Sequence, residues 1–130
     1  MSHSRLICSS LLFLALLPAG AAEIKVGPDA NGKPQTLDKG DVLVVELPAN
    51  PSTGFMWTNT GTTLPVLTVA GPAEFKPDPA AEGMVGVGGT AIFKFDALES
   101  GRAEVTLLYR RSWEAEVPPV MTFVLPVTVK

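Results

Sequence analysis

Two small hydroxyl side chains, Ser52 and Thr53, lie in the most informative segment of this chain, where they can form hydrogen bonds but supply little chemistry of their own. They lie between Pro51, which fixes its own φ and favours an extended Asn50, and Gly54, which can adopt a positive φ. No ionisable group lies among them. Such a segment can form hydrogen bonds inside another protein's cleft, although an ordinary turn between two strands explains the same residues.

The N-terminus predicts export. A basic residue precedes an apolar run at residues 6–17, and small residues follow it, which is the pattern of a secretory signal peptide cleaved after Ala21 or Ala22. We therefore expect residues 1–22 to be a signal peptide and residues 23–130 to form a single domain. The mature protein is expected to be exported, either periplasmic or secreted. A retained membrane anchor is the alternative, but the run is short for a membrane-spanning helix.

Removal of the signal peptide also removes the side chains on which many small enzymes depend. The single cysteine, Cys8, and the single histidine, His3, both lie in that segment. The remaining 108 residues can form no Cys–His or Ser–His couple, no disulfide and no zinc site of the usual type. We expect no catalytic residues, no metal and no other cofactor. A small hydrolase that uses paired carboxylates stays open, but the acidic residues are scattered along the chain.

The charge of the chain limits its partners. The formal net charge is −3, and loss of the signal peptide, which contains Arg5 and no acid, makes it −4. A mildly acidic domain with few basic residues argues against nucleic acid and against anionic membranes. A monomeric state is the default expectation.

The elements that must position the hydroxyl segment are strands. Polar and apolar residues alternate with period two, no segment after residue 22 keeps a helical period, and 12 prolines and 12 glycines punctuate the chain. Strands are predicted at 35–38, 41–48, 54–60, 64–69, 72–76, 90–97, 102–110 and 121–129. This pattern predicts an all-β fold, an immunoglobulin-like antiparallel β-sandwich. Residues 23–34 are expected to be a loose leader, 41–47 a central strand, and Pro126 to mark a sheet edge or bulge.

The order of these strands predicts that three loops share one end of the sandwich. Every second connection of an antiparallel chain falls at the same end, if residues 64–76 act as one bent excursion. The three loops are then 50–54, 83–89 and 111–120, and the turn at 99–101 lies at the far end. A cluster of long loops on a rigid scaffold is typical of a binding surface.

The second and third loops contain residues suited to contact. Gly86, Val87, Gly88 and Gly89 give a flat backbone that another chain can approach, although a flexible hinge explains them equally well. Arg111, Ser112 and Trp113 place an aromatic side chain beside a cation, as in many interface anchors. The alternative is that Trp113 folds back on the sandwich under Arg111.

These three segments together resemble the chagasin-type inhibitors of papain-like cysteine peptidases. That family carries an N-P-T-T-G-[FY] loop, a G-x-G-G loop and an R-P-W loop, and the resemblance covers about residues 36–130. The corresponding residues here are Asn50, Pro51, Ser52, Thr53, Gly54 and Phe55, then Gly86, Val87, Gly88 and Gly89, then Arg111, Ser112 and Trp113.

The resemblance implies a reversible, tight-binding inhibitor that occludes the cleft of a papain-like peptidase with three loops. It implies that Ser52 and Thr53 approach the catalytic Cys and His of the peptidase while the other two loops contact the walls of the cleft. Two positions depart from the family pattern, because Ser52 replaces Thr and Ser112 replaces Pro. The alternative function is a secreted binding or adhesion module that uses exposed Trp57 and Trp113; we expect Trp57 to be buried and Trp113 to be exposed.

Overall fold

The protein is a sandwich of two β-sheets in a computed structural model that describes residues 22–61, 64–79, 88–114 and 116–130. The strands are β1 (Glu23–Val26), β2 (Gln35–Leu37), β3 (Val42–Ala49), β4 (Phe55–Asn59), β5 (Leu67–Val69), β6 (Glu74–Pro77), β7 (Gly89–Ala97), β8 (Gly101–Arg111) and β9 (Met121–Val129), with 3₁₀ turns at Pro28–Ala30 and Pro51–Thr53. None of the described residues is α-helical, and no described helix is long and apolar enough to cross a membrane. The predicted all-β sandwich is confirmed.

The chain crosses between the two sheets at the predicted loops. The first sheet has the order β1-β3-β7-β5, with β6 also on β7, and the second has the order β2-β9-β8-β4. The loop at residues 50–54 joins β3 in the first sheet to β4 in the second, and a short turn joins β7 to β8 in the same way. β3 is an interior strand, as its nearly continuous apolar sequence predicts.

The registers bring the loop ends together at one end of the sandwich. β3 ends at Ala49 opposite Gly89, the first residue of the antiparallel β7, while β4 begins at Phe55 opposite Arg111, the last residue of β8. Both β5 and β6 are antiparallel to β7 and lie along successive parts of it. They therefore act as one interrupted edge strand, which confirms the single excursion on which the predicted loop placement depends.

The N-terminal segment differs from the prediction of a loose leader. β1 pairs in parallel with β3, and β2 pairs in parallel with β9, so both sheets are mixed rather than wholly antiparallel. Ile24 and Val26 alternate with polar residues and pack against the core. Four residues are too few for a period-two pattern to stand out in the sequence, which is why the sequence does not predict this strand.

The core lies between the sheets and is built from the alternating residues that the sequence indicates. Its most fully buried large side chains, with 0–2% of their surface exposed, are Leu37, Leu43, Val45, Leu47, Leu67, Phe95, Val105, Leu107, Phe123 and Leu125. Each such side chain contributes about 1.5–3 kcal/mol through burial of apolar surface. The result is a stiff scaffold beneath the loops.

Pro126 lies at an uncovered edge, as predicted. It pairs with Glu104 of β8 on one side, and β2 covers β9 only from Val127 onward on the other. The Val124 amide, two residues earlier, points to that outer side and donates to the Asn31 side chain. The side of Pro126 that lacks an N–H therefore faces no strand.

Candidate functional site

The first loop is a compact turn organised by Asn50. Its side-chain oxygen accepts hydrogen bonds from the Ser52 amide (3.3 Å) and the Ser52 hydroxyl (2.6 Å). Its carbonyl oxygen accepts from the Thr53 amide (3.2 Å) and the Thr53 hydroxyl (2.7 Å). Pro51 opens the 3₁₀ turn between them with its φ already fixed. The loop is therefore held in one shape by its own residues.

The two hydroxyl groups of the loop present acceptor oxygens to the outside. Ser52 and Thr53 are exposed, and each donates its hydroxyl proton inward to Asn50. A hydroxyl group that donates one hydrogen bond still has two lone pairs with which to accept others. The end of the loop is thus uncharged and best matched to a hydrogen-bond donor on a partner.

Gly54 closes the loop and contacts the third loop. It adopts φ 85° and ψ −7°, and its amide donates to the Pro51 carbonyl at 2.9 Å. The Trp113 ring stands so close that a Cβ atom on Gly54 would overlap Trp113 Cη2. Only glycine combines this backbone conformation with this contact.

The second loop approaches the first through its two described glycines. A Cβ atom on Gly88 would lie 2.9 Å from the Ala49 carbonyl oxygen, and one on Gly89 would overlap the Lys76 carbonyl. Gly89 is buried in β7 between Ala49 and Pro77, which argues against a hinge at that residue. Gly86 and Val87, also predicted for this loop, lie outside the described residues.

Arg111 connects the third loop to the first. Its Nε donates to the Thr53 carbonyl at 3.1 Å, and its guanidinium carbon lies 4.3 Å from the centre of the Phe55 ring. The same carbon lies 5.9 Å from the centre of the Trp113 ring, and Glu114 forms an ion pair with Arg111 at 3.8 Å. The side chains of Arg111 and Trp113 in the third loop therefore hold the backbone of the loop 50–54.

Trp113 has features of both alternatives that the sequence left open, an exposed interface anchor and a ring that folds back on the sandwich. It lies against Gly54 and within reach of Arg111, yet 69% of its surface remains exposed. Ser112 and Trp113 are the two central residues of a turn in which the Glu114 amide donates to the Arg111 carbonyl at 3.0 Å. A large exposed aromatic side chain on an ordered turn is suited to anchor a partner.

Trp57 does not join Trp113 on the surface. It is half-buried rather than buried as predicted. Its indole N–H donates to the Pro48 carbonyl at 2.9 Å, and its ring centre lies 4.9 Å from that of Tyr109. It thereby ties β4 in the second sheet to β3 in the first. The exposed two-tryptophan platform of the adhesion hypothesis is not present.

Tyr109 is a site residue that the sequence interpretation missed. Its hydroxyl oxygen accepts from the Asn50 amide at 3.2 Å, and its ring centre lies 5.4 Å from that of Phe55. The signal in the sequence is its place on the inward face of β8, two residues before Arg111. The alternating inward residues of β8 therefore extend the hydrophobic core as far as the loops.

The loops 50–54 and 111–114 together with Gly88 and Gly89 form one surface, which we call the tip. Among the described residues, no cluster of three or more His, Cys, Asp or Glu side chains is placed to hold a metal ion. The charged side chains that organise the tip, Arg111 and Glu114, are paired with each other. The arrangement is suited to binding through shape, hydrogen bonds and an aromatic anchor.

Comparison with known proteins places this architecture in a family. Residues 36–127 match the model of the chagasin family of peptidase inhibitors, I42. Chagasin of Trypanosoma cruzi is 34% identical over 94 residues, which are 68% of this chain and 82% of that protein. Amoebiasin-1 of Entamoeba histolytica is 29% identical over 102 residues, covering 78% of this chain and 95% of that protein.

A solved structure has the same fold. The crystal structure of the cysteine protease inhibitor EhICP2 from Entamoeba histolytica superposes with a TM-score of 0.72 at 22% identity, covering 84% of this chain and 96% of that one. The matched family region contains the whole described tip. This chain belongs to the chagasin family of peptidase inhibitors.

Proposed function

We propose that the tip enters the active-site cleft of a papain-like cysteine peptidase and blocks it reversibly. Family membership makes the protein an inhibitor of cysteine peptidases and not an enzyme. The observation that carries the proposal for the tip is the convergence of the described residues of the three sequence motifs at one end of the sandwich, with Ser52 and Thr53 at its point.

The chemistry of the loop 50–54 suits that target. A papain-like enzyme keeps its nucleophile as a thiolate beside an imidazolium, which is a strong hydrogen-bond donor. Ser52 and Thr53 each donate a hydrogen bond to Asn50, so their oxygens are oriented to accept from such a donor. The loop also lacks a carboxylate that would be repelled by the thiolate.

The rest of the tip would contact the walls of the cleft. The glycine backbone at residues 88–89 offers a flat surface on one side, and the exposed Trp113 ring offers an apolar anchor on the other. Complexes of peptidases with protein inhibitors bury about 1,600 Å² in total. Because the tip is held by its own hydrogen bonds, little conformational entropy is lost on binding.

Ser52 and Ser112 are the positions where this protein would differ from its relatives. Ser52 lacks the methyl group of the family Thr, and that loss weakens packing in the cleft by about 1 kcal/mol. Ser112 lacks the ring of the family Pro and leaves its turn less rigid. Both differences concern affinity rather than the kind of target.

We further propose that the protein acts outside the cytoplasm, as a monomer, after removal of a signal peptide. The basic residue, apolar run and small residues that precede residue 23 support export. Because no cysteine follows the signal peptide, the mature protein needs no oxidation to fold.

Titration of active papain tests the proposal. The mature protein is expected to abolish hydrolysis of a small peptide substrate at near-equal molar ratio. Thr53→Lys places a bulky charge at the point of the tip and is expected to weaken inhibition at least tenfold while the melting temperature changes little, because Thr53 is exposed.

Thr128→Lys is the matched control, since Thr128 is an exposed threonine on β9 near the opposite end of the sandwich. It is expected to inhibit papain like the unchanged protein. Equal inhibition by the Thr53 and Thr128 variants would show that the loop 50–54 does not enter the cleft.

A further inference from the structure

Asp41 is a buried carboxylate at the end of the sandwich opposite to the tip. It precedes β3, and only 4% of its surface is exposed. Its Oδ2 accepts from the Asp38 amide at 2.9 Å, and its Oδ1 accepts from the Ala22 amide at 3.1 Å. Asp41 is the one charged residue of the described part of the chain that is almost fully buried.

The charge of Asp41 has no cationic partner in the described ranges. Arg111 and Glu114 form the ion pair found there, and they lie at the tip. A buried carboxylate is costly unless a positive charge or several hydrogen bonds compensate for lost hydration. Two backbone amides satisfy part of that need and leave the charge itself uncompensated.

The pairing of the N-terminal backbone with β3 keeps the nitrogen of Ala22 next to Asp41. The Val42 amide donates to the Ala22 carbonyl at 2.9 Å, and the next residue, Glu23, pairs with Val42 as β1 begins. The nitrogen of Ala22 is therefore fixed on Asp41 Oδ1 by the strand that follows it.

The sequence before Ala22 favours cleavage at that same nitrogen. A cut after Ala21 places Ala19 and Ala21 at the third and first positions before the cleaved bond, which is the A-x-A pattern. A cut after Ala22 would place Gly20 and Ala22 there.

We infer that signal peptidase hydrolyses the Ala21–Ala22 bond and that the new α-ammonium group of Ala22 forms an ion pair with Asp41. Water supplies the hydroxyl group of the released Ala21 carboxyl and one hydrogen of the Ala22 amine. The carboxyl releases a proton, and the amine takes one up. The mature chain then begins at Ala22, one residue earlier than a signal peptide of residues 1–22 implies.

Cleavage thereby completes the fold as well as releasing the protein. In the precursor Ala22 offers Asp41 one neutral amide N–H, whereas the ammonium offers a full positive charge and three donors. The inference rests on the expected signal peptide and is independent of what the tip binds.

N-terminal sequencing of the protein exported after expression of the 130-residue chain tests the cleavage site. The expected first residues are Ala-Glu-Ile-Lys-Val. A chain that begins at Glu23, or at any other residue, overturns the inference.

The ion pair is tested by comparing a mature form that begins at Ala22 with one that keeps Ala21, in which the Ala22 nitrogen stays an amide. The shorter form is expected to melt higher by on the order of 5 °C. The difference is expected to vanish in Asp41→Asn and to persist in the control Asp38→Asn, an exposed carboxylate in the same turn. An equal difference in all backgrounds would contradict the ion pair.

A second readout does not need the Asp41 variant to fold. The α-amine of the form that begins at Ala22 is expected to react at least tenfold more slowly with an acylating reagent than that of the form that keeps Ala21, because the carboxylate holds it protonated and covered. Equal rates would contradict the ion pair. Both forms are expected to inhibit papain equally, so this test can fail while the proposed function stands.

Discussion

Gly54 joins two of the three loops because it has no side chain. Its φ of 85° is one that residues with a Cβ atom adopt at a cost of about 1–2 kcal/mol. The Trp113 ring occupies the space where a side chain would begin. The sequence predicted the positive φ from the residue type, but the contact with Trp113 depends on the pairing of β4 with β8 and could not be read from it.

Gly54→Ala is expected to displace the Trp113 ring and to weaken inhibition of papain at least tenfold, with a loss of about 1–2 kcal/mol in the free energy of unfolding. Gly32→Ala is the matched control, because Gly32 has φ 78° and a Cβ atom added there would have no neighbour within 4 Å. It is expected to lose similar stability and to inhibit normally. Titration of papain and chemical denaturation of both variants measure the two effects, and loss of inhibition in both would contradict a specific contact.

Ser112 is a position where a substitution is expected to raise stability rather than lower it. It is the first central residue of the Arg111–Glu114 turn, a position that favours proline, and none of the described hydrogen bonds uses its amide. Arg111, just before it, is in an extended strand, as a residue before proline should be.

Ser112→Pro is therefore expected to raise stability by about 0.4–1 kcal/mol and to tighten inhibition a few-fold, because the turn loses less freedom on binding. Ser112→Ala, which removes the hydroxyl without fixing φ, is the control and is expected to change neither quantity. Denaturation midpoints measure the change in stability, and inhibition constants measure the change in binding. Weaker inhibition by the proline variant would mean that the turn must change shape in the complex.

At the scale of elements, β8 carries the core up to the tip. Its inward residues Val105 and Leu107 are buried, and Tyr109 continues the same face to the loop 50–54. The alternation in the sequence predicted this strand within about one residue at each end. It could not predict that Tyr109 bonds to Asn50, because that contact crosses from one sheet to the other.

Tyr109→Phe tests whether this strand positions the loop 50–54. Loss of the hydroxyl removes one acceptor for the Asn50 amide and is expected to cost about 0.5–1.5 kcal/mol in stability. Inhibition is expected to weaken several-fold, because the loop is less well held. Thr106→Val, which removes a hydroxyl from the same strand farther from the tip, should leave inhibition unchanged; if the Tyr109 variant inhibits fully, the loop needs no support from β8.

At the scale of the whole molecule, the tip and the buried Asp41 lie at opposite ends of the sandwich. The tip lies where β3 ends and β8 ends, and Asp41 with Ala22 lies where β3 begins. The placement of the loop 50–54, the loop 111–114 and Gly88 and Gly89 at one end followed from counting alternate connections, with residues 64–76 taken as one excursion. The parallel pairing of β1 with β3 and of β2 with β9 could not be predicted, because short edge strands leave little pattern in a sequence.

The separation of scaffold and tip makes a last prediction. Leu107→Ala removes a fully buried side chain from the centre of β8 and is expected to lower the free energy of unfolding by about 2–5 kcal/mol. Well below its melting temperature the variant should still inhibit papain within about twofold, because the contacts of Asn50, Arg111 and Trp113 lie at the end of the sandwich. Arg102→Ala, an exposed residue on the same strand, controls for the substitution itself. A Leu107 variant that is folded by circular dichroism but inhibits tenfold more weakly would show that the shape of the tip depends on packing throughout the core.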